Sequence, residues 1–281
     1  MGSAVTTSLA VVMLLSGVVP PGIAAGGRST KTRVVIVEDR GVIAPSQTGG
    51  FSEHCPASAP RAVGATYGPT DDQPLAGQLL LTASFPLHRT GWRVVLKNLT
   101  PLSQPFFAGA VCVGSAAPFA YPETTEVAAP GMDDGFSLRC PRRAPTGIGG
   151  FFSPQDGAGI GQLLNDSSFP TQIGWDIGVR NVDHASHGYF AGAVCVGSTM
   201  RTVLVSRTRR VAAGARIETR LRCPRRTPQP ISSVVAAGAA AARGQIVATD
   251  AFRTGARTWN AGVRNLSTAP QLAGVGVICV R

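Results

Sequence analysis

The residues best placed to do chemistry in this chain are its six cysteines, and the chemistry their spacing suits is oxidation to disulfides. Cys55, Cys140 and Cys223 are each followed by proline, and each has a further cysteine 55 to 57 residues on, at Cys112, Cys195 and Cys279. No CxxC occurs, and Cys-Pro pairs this far from their next cysteine lack the spacing of a zinc finger. An even number with none left over is the pattern of a disulfide framework in an oxidising compartment. Of the pairings six cysteines allow, Cys55–Cys112, Cys140–Cys195 and Cys223–Cys279 give three equivalent stretches equivalent partners. On a chain-entropy treatment, closing a loop of that length is worth about 4 kcal/mol.

Other reactive types do not converge. The histidines are His54, His88, His184 and His187. Asp183, His184 and His187 form a D-H-x-x-H string with up to three metal ligands, but it occupies a turn, and a polar loop explains it equally well. The fifteen Asp and Glu residues offer no recurring pair at the fixed separation that acid/base catalysis by two carboxylates needs. No serine sits in a G-x-S-x-G elbow, and no glycine loop with Lys-Ser/Thr is present to cradle phosphate. No catalytic residue, cofactor site or native metal site is therefore assigned, and an enzyme ranks third among the readings.

The charge is informative and ambiguous. The chain carries a net charge of +11, and all but two of its 26 basic residues (Lys31 and Lys97) are arginine. In an Ala/Gly/Val-rich background that skew is also what GC-rich codon usage produces. Lys97, Arg180 and Arg264 occupy one repeated place, Arg139 and Arg222 another, and these five are the candidate anion-binding residues. Arginine forks suit carboxylates and phosphates, so an anionic wall polymer or polysaccharide is the candidate partner. Nucleic acid is not expected, because no aromatics interleave with the arginine clusters to stack bases.

The elements that must position these residues come in triplicate. Trp92, Trp175 and Trp259 are each followed six residues later by Asn98, Asn181 and Asn265, and twenty residues later by the second cysteine. The period is therefore about 84 residues. In Trp92-Arg-Val-Val-Leu-Lys-Asn98 the alternate residues Trp92, Val94 and Leu96 share a face, the pattern of a half-buried strand ended by a turn-forming Asn. Phe107-Ala-Gly-Ala-Val-Cys-Val-Gly114 repeats letter for letter at Phe190–Gly197 and is apolar on both faces, as in a strand covered on two sides. Further strands are expected ahead of each Cys-Pro and near Val34–Val37, Ala62–Tyr67 and Gln78–Phe85. With 34 Gly and 21 Pro and no long amphipathic helix, the class is all-β: three closely packed, disulfide-stapled, sandwich-like repeats, or alternatively one pseudo-three-fold β-prism-like body. Immunoglobulin topology is rejected, because there the Trp follows the first Cys by about a dozen residues.

Residues 1–25 read as a signal peptide, with an apolar run from Leu9 to Val19 too short to span a bilayer. The expected map continues with a linker at 26–32, repeat 1 at 33–114, a linker at 115–123, repeat 2 at 124–198 and repeat 3 at 199–281. No transmembrane segment is expected. Asn98, Asn165 and Asn265 lie in N-x-[ST] sequons.

The run Cys140-Pro-Arg-Arg-Ala-Pro-Thr-Gly-Ile-Gly-Gly-Phe-Phe-Ser153, with Gly174-Trp175, Asn181 and Ala193-Val-Cys195 following, resembles a group of uncharacterised secreted bacterial repeat domains. Their pattern is Cys-Pro, Gly-Gly, Gly-Trp, Asn and Ala-Val-Cys. The resemblance implies export and no established activity. The expectation is an exported, non-catalytic binding protein, secreted or wall-associated. The runner-up is a structural spacer or surface-layer component.

Overall fold

A computed structural model describes residues 32–70, 78–237 and 245–281; the expected signal peptide, and all of the 26–32 linker but Thr32, lie outside them. Every repeat supplies the same run of strands. The first gives β1 (Arg33–Ile43), β2 (Thr48–His54), β3 (Arg61–Pro69), β4 (Leu79–Leu87), β5 (Gly91–Asn98) and β6 (Gln104–Gly114). The second gives β7 (Phe119–Ala120), β8 (Glu123–Ala128), β9 (Asp133–Arg139), β10 (Thr146–Pro154), β11 (Leu163–Pro170), β12 (Gly174–Asn181) and β13 (His187–Val196). The third gives β14 (Thr202–Val211), β15 (Arg216–Arg222), β16 (Gln229–Ala237), β17 (Ile246–Gly255), β18 (Thr258–Asn265) and β19 (Gln271–Val280). Here β7 and β8 together replace the single first strand of the other repeats, and both pair with β13.

The strands do not close into three separate sandwiches. Each repeat splits into two halves that join different sheets. The sheet orders are β1-β6-β3-β17-β18-β15, β2-β5-β4-β10-β13-β7 and β14-β19-β16-β11-β12-β9. Every sheet thus takes one half from one repeat and one half from another, and the last repeat completes a sheet with the first. The joins fall at equivalent places: Tyr67 opposite Ala251, Phe152 opposite Ser84, and Ser168 opposite Val235. Of the two architectures open in the sequence, the arrangement is nearer the single three-fold body, but it departs from a prism with one sheet per repeat because every sheet is shared by two repeats.

The periodic residues explain why. Trp92, Trp175 and Trp259 are fully buried, and a single apolar cluster draws on all three repeats. A smaller cluster of Leu80, Leu164 and Val247, one residue from each repeat, packs separately. Small residues are needed where three strands converge. A methyl group added at Gly64 would lie 3.0 Å from the Ile231 carbonyl oxygen, and one at Gly149 would lie 2.8 Å from that of Val63. At the third equivalent position Ser232 donates its hydroxyl to the Ile148 carbonyl at 2.7 Å. The contacts run from repeat one to three, three to two and two to one, a closed ring.

The three disulfides form as expected, and each connects two sheets. Cys55–Cys112 ties the end of β2 to β6, Cys140–Cys195 ties β9 to β13, and Cys223–Cys279 ties β15 to β19.

Candidate functional site

The repeat places its connections at two ends of the body. One end holds the Cys-Pro segments and the β4–β5, β11–β12 and β17–β18 hairpins. The other holds the turns that follow Asn98, Asn181 and Asn265. This second end is held by the asparagines themselves. Asn98 Nδ2 donates to the carbonyls of Ile43, Ala44 and Leu102, and its Oδ1 accepts the Thr100 amide. Asn265 repeats the set with Val211, Ala212, Ala269 and Ser267, and Asn181 bonds Ala128, Ala185 and Asp183. The role goes beyond a turn residue bonding its own backbone, because each Asn also secures the preceding strand connection. Asn98, Asn165 and Asn265 are all buried, which closes the three sequons in the folded protein.

The D-H-x-x-H string folds onto itself. His187 is buried, its Nε2 lies 2.7 Å from Asp183 Oδ2, and its Nδ1 lies 3.6 Å from Asp156. The Asp183 carboxylate also accepts the His184 amide, and these bonds hold it below the usual carboxylate range. Among the described residues no group of three or more His, Cys, Asp or Glu side chains is arranged to hold a metal. His54 is an exposed strand residue.

The five candidate anion-binding residues do not form one patch. Lys97, Arg180 and Arg264 sit beside the Asn turns, at the opposite end of their strands from Arg139 and Arg222. Two of the three reach across to a neighbouring repeat: Lys97 Nζ donates to Gly161 O at 3.0 Å, and Arg264 donates to the Gln78 side chain. Arg180 lies 3.8 Å from Asp133, its cross-strand partner.

Arg139 and Arg222 keep different company. The connections at the Cys-Pro end contain Arg89, Arg142, Arg143, Arg201, Arg225, Arg226 and Arg257, and not one Asp or Glu among their described residues. The connections at the Asn end contain Asp156 and Asp183 and no Arg or Lys among theirs. Sequence reasoning missed this polarity because it depends on which connections share an end. Alternation of connection types along the repeat was the signal that could have revealed it.

Two hollows at the Cys-Pro end flank the seam between repeats one and two. One, of about 390 Å³, is lined by Phe85, His88, Arg89, Tyr121, Glu123 and Phe190 among others. The other, of about 270 Å³, is lined by Arg89, Phe119, Tyr121, Pro122, Arg139 and Arg143 among others. Arg89 and Tyr121 belong to both, with the guanidinium carbon 5.8 Å from the ring centroid. Tyr121 stands in the break between β7 and β8, donates its hydroxyl to the Ala62 carbonyl at 2.9 Å, and is pushed up to about 12 by burial. It is an uncharged aromatic at neutral pH. The comparable hollow between repeats three and one, about 650 Å³, has Arg33 and Arg257 but no aromatic lining residue.

The hairpin carrying Arg89 is strained. His88 and Arg89, central in a turn closed by the Thr90 amide on the Leu87 carbonyl at 3.1 Å, have φ of 48° and 66°, the left-handed region that Asn and Gly enter most readily. For residues with a side chain this costs about 1–2 kcal/mol each. Among the described residues, the cavity at the junction of the three repeats is only about 40 Å³, room for a water or so rather than an organic ligand.

No protein family model matches the chain, and no curated protein matches it. No helix among the described residues is long and apolar enough to cross a membrane.

Proposed function

We propose that this is an exported, non-catalytic binding protein that uses the arginine-rich Cys-Pro end to hold an anionic polymer at or outside the cell envelope. One observation carries the reading: among the described residues, the connections at that end hold arginines and no carboxylates, whereas those at the other end hold carboxylates and no Arg or Lys. Codon bias is blind to the end of the molecule on which a residue falls, so it does not account for segregation. An excess of one sign concentrates field and attracts polyanions, and arginine forks give each anionic group two parallel hydrogen bonds. The disulfides are compatible with an extracellular setting.

The test is retention of the oxidised protein on isolated envelope material at low and high salt. Retention should fall steeply as salt rises, and should weaken in a variant carrying Arg142→Ala, Arg143→Ala, Arg225→Ala and Arg226→Ala. Salt-independent retention, or unchanged retention by that variant, would refute the reading.

A further inference from the structure

Within that reading, and resting on it, we infer that the paired hollows around Arg89 and Tyr121 form a subsite for an acidic sugar, with a pyranose ring against the aromatic hollow and its carboxylate, or the next unit's, at Arg139 and Arg143. Four observations converge. First, the hollows are contiguous through the shared Arg89–Tyr121 wall. Second, their linings divide by chemistry. Phe85 and Phe190, in edge-to-face contact at 5.4 Å between centroids, lie on one side, with Glu123 at that hollow's edge. Three arginines and no carboxylate lie on the other. A ligand that is apolar on a ring face and anionic at its rim matches that division.

Third, the feature belongs to one seam. The break between β7 and β8 that admits Tyr121 and Pro122 has no counterpart in β1 or β14, which run unbroken along their partners. Pro122 has no amide to donate to the ladder, while its carbonyl still accepts the Ala193 amide at 2.9 Å. Fourth, the β4–β5 turn carries His88 and Arg89 at positive φ, where Asn-Gly would relax the backbone. Strain of this kind persists where the side chains it presents are used. Tyr121, a neutral phenol at physiological pH as any tyrosine is, adds no repulsion to an approaching anion. A polyol phosphate chain would satisfy the arginines and leave the aromatic hollow unused, so the sugar ring is the distinguishing part.

The test is calorimetric titration of the oxidised protein with oligogalacturonate, with its methyl ester and with poly(glycerol phosphate). Oligogalacturonate should bind, and esterification should weaken it by about tenfold or more. Arg139→Ala with Arg143→Ala should lose about tenfold or more, whereas Arg222→Ala with Arg226→Ala should change affinity by less than about threefold. Replacing His88→Asn and Arg89→Gly should raise the melting temperature and lose binding by a similar factor, a combination that a purely structural turn would not give.

Equal losses in the two arginine pairs would overturn the subsite and leave the broader cationic end standing. Equally tight binding of poly(glycerol phosphate) would overturn the sugar assignment. Absence of binding to either polymer would overturn the subsite and the proposed function together.

Discussion

At the scale of single residues, the three repeats act as natural variants of one another. The indole N–H groups of Trp92 and Trp175 donate to Ser84 and Ser168 at 2.8 and 2.9 Å, whereas Trp259 Nε1 has no partner among the described residues. The equivalent of those serines is Ala251. Ala251→Ser should therefore stabilise the protein by about 1 kcal/mol, and Ser168→Ala should cost about 1–3 kcal/mol, both read from urea midpoints. A second contrast concerns a buried acid. Asp250 is fully buried over Gly262, accepts Arg216 and Thr249, and leaves Oδ1 without a partner, so burial raises its carboxyl despite the arginine. The first repeat has Val95 in place of that glycine and Ala83 in place of the acid. Because the folded carboxyl titrates above its unfolded value, its contribution is complete below the usual carboxylate range and is lost as pH rises through the raised one. Stability of the parent should decline over that rise more than stability of Asp250→Asn, as urea titrations on either side of it would measure. Unchanged slopes would reject the assignment.

At the scale of elements, period and strand type were legible because Trp, Asn and Cys mark each repeat's interior so strongly. The strand ending at Asn98, the doubly buried Cys112 strand and the three bridges all follow from side-chain alternation and spacing alone. Which repeat a strand pairs with did not follow, because β4 reads identically whether its free edge meets β3 of its own repeat or β10 of the next. The small residues at Gly64, Gly149 and Ser232 carried that information, and it becomes readable once they are seen to meet the backbones of other repeats. The candidate site was less legible for a similar reason: Arg139 and Arg222 were recognisable as a repeated pair, but Tyr121 and Arg89 come from different repeats and meet only across a seam. The ring makes a specific prediction. Gly149→Ala should cost about 1–3 kcal/mol, since its methyl group would lie within 3.0 Å of a backbone oxygen. Gly149→Ser should cost less, because a hydroxyl there can donate to the Val63 carbonyl as Ser232 does to Ile148. Chemical denaturation of the two variants side by side would decide it, and a serine variant no better than alanine would count against the ring.

At the scale of the whole molecule, the exchange of halves makes the repeats mutually dependent. Removing the third repeat would expose the β3 edge and the β11 edge at once, and would unroof apolar strands in two sheets. The oxidised protein should thus unfold in one transition, with calorimetric and van't Hoff enthalpies in agreement, and limited proteolysis should not release stable single repeats. The chain ends support a sharper form of the same argument. Gln229 accepts the Val34 amide at 3.0 Å and donates to the Thr32 carbonyl at 2.6 Å, while Gln229 itself pairs with Val280. Both ends of the described residues therefore meet on one seam, whereas the other two seams are each crossed by a short connection. A circular permutant that joins Arg281 to Thr32 through a short flexible linker and opens the chain between Gly197 and Arg201 should fold, form the same three bridges and keep a melting temperature close to the parent's. Bridges mapped without reductant and a calorimetric scan provide the check. A permutant that folds only in part, or melts in separate steps, would mean that the three repeats keep cores of their own.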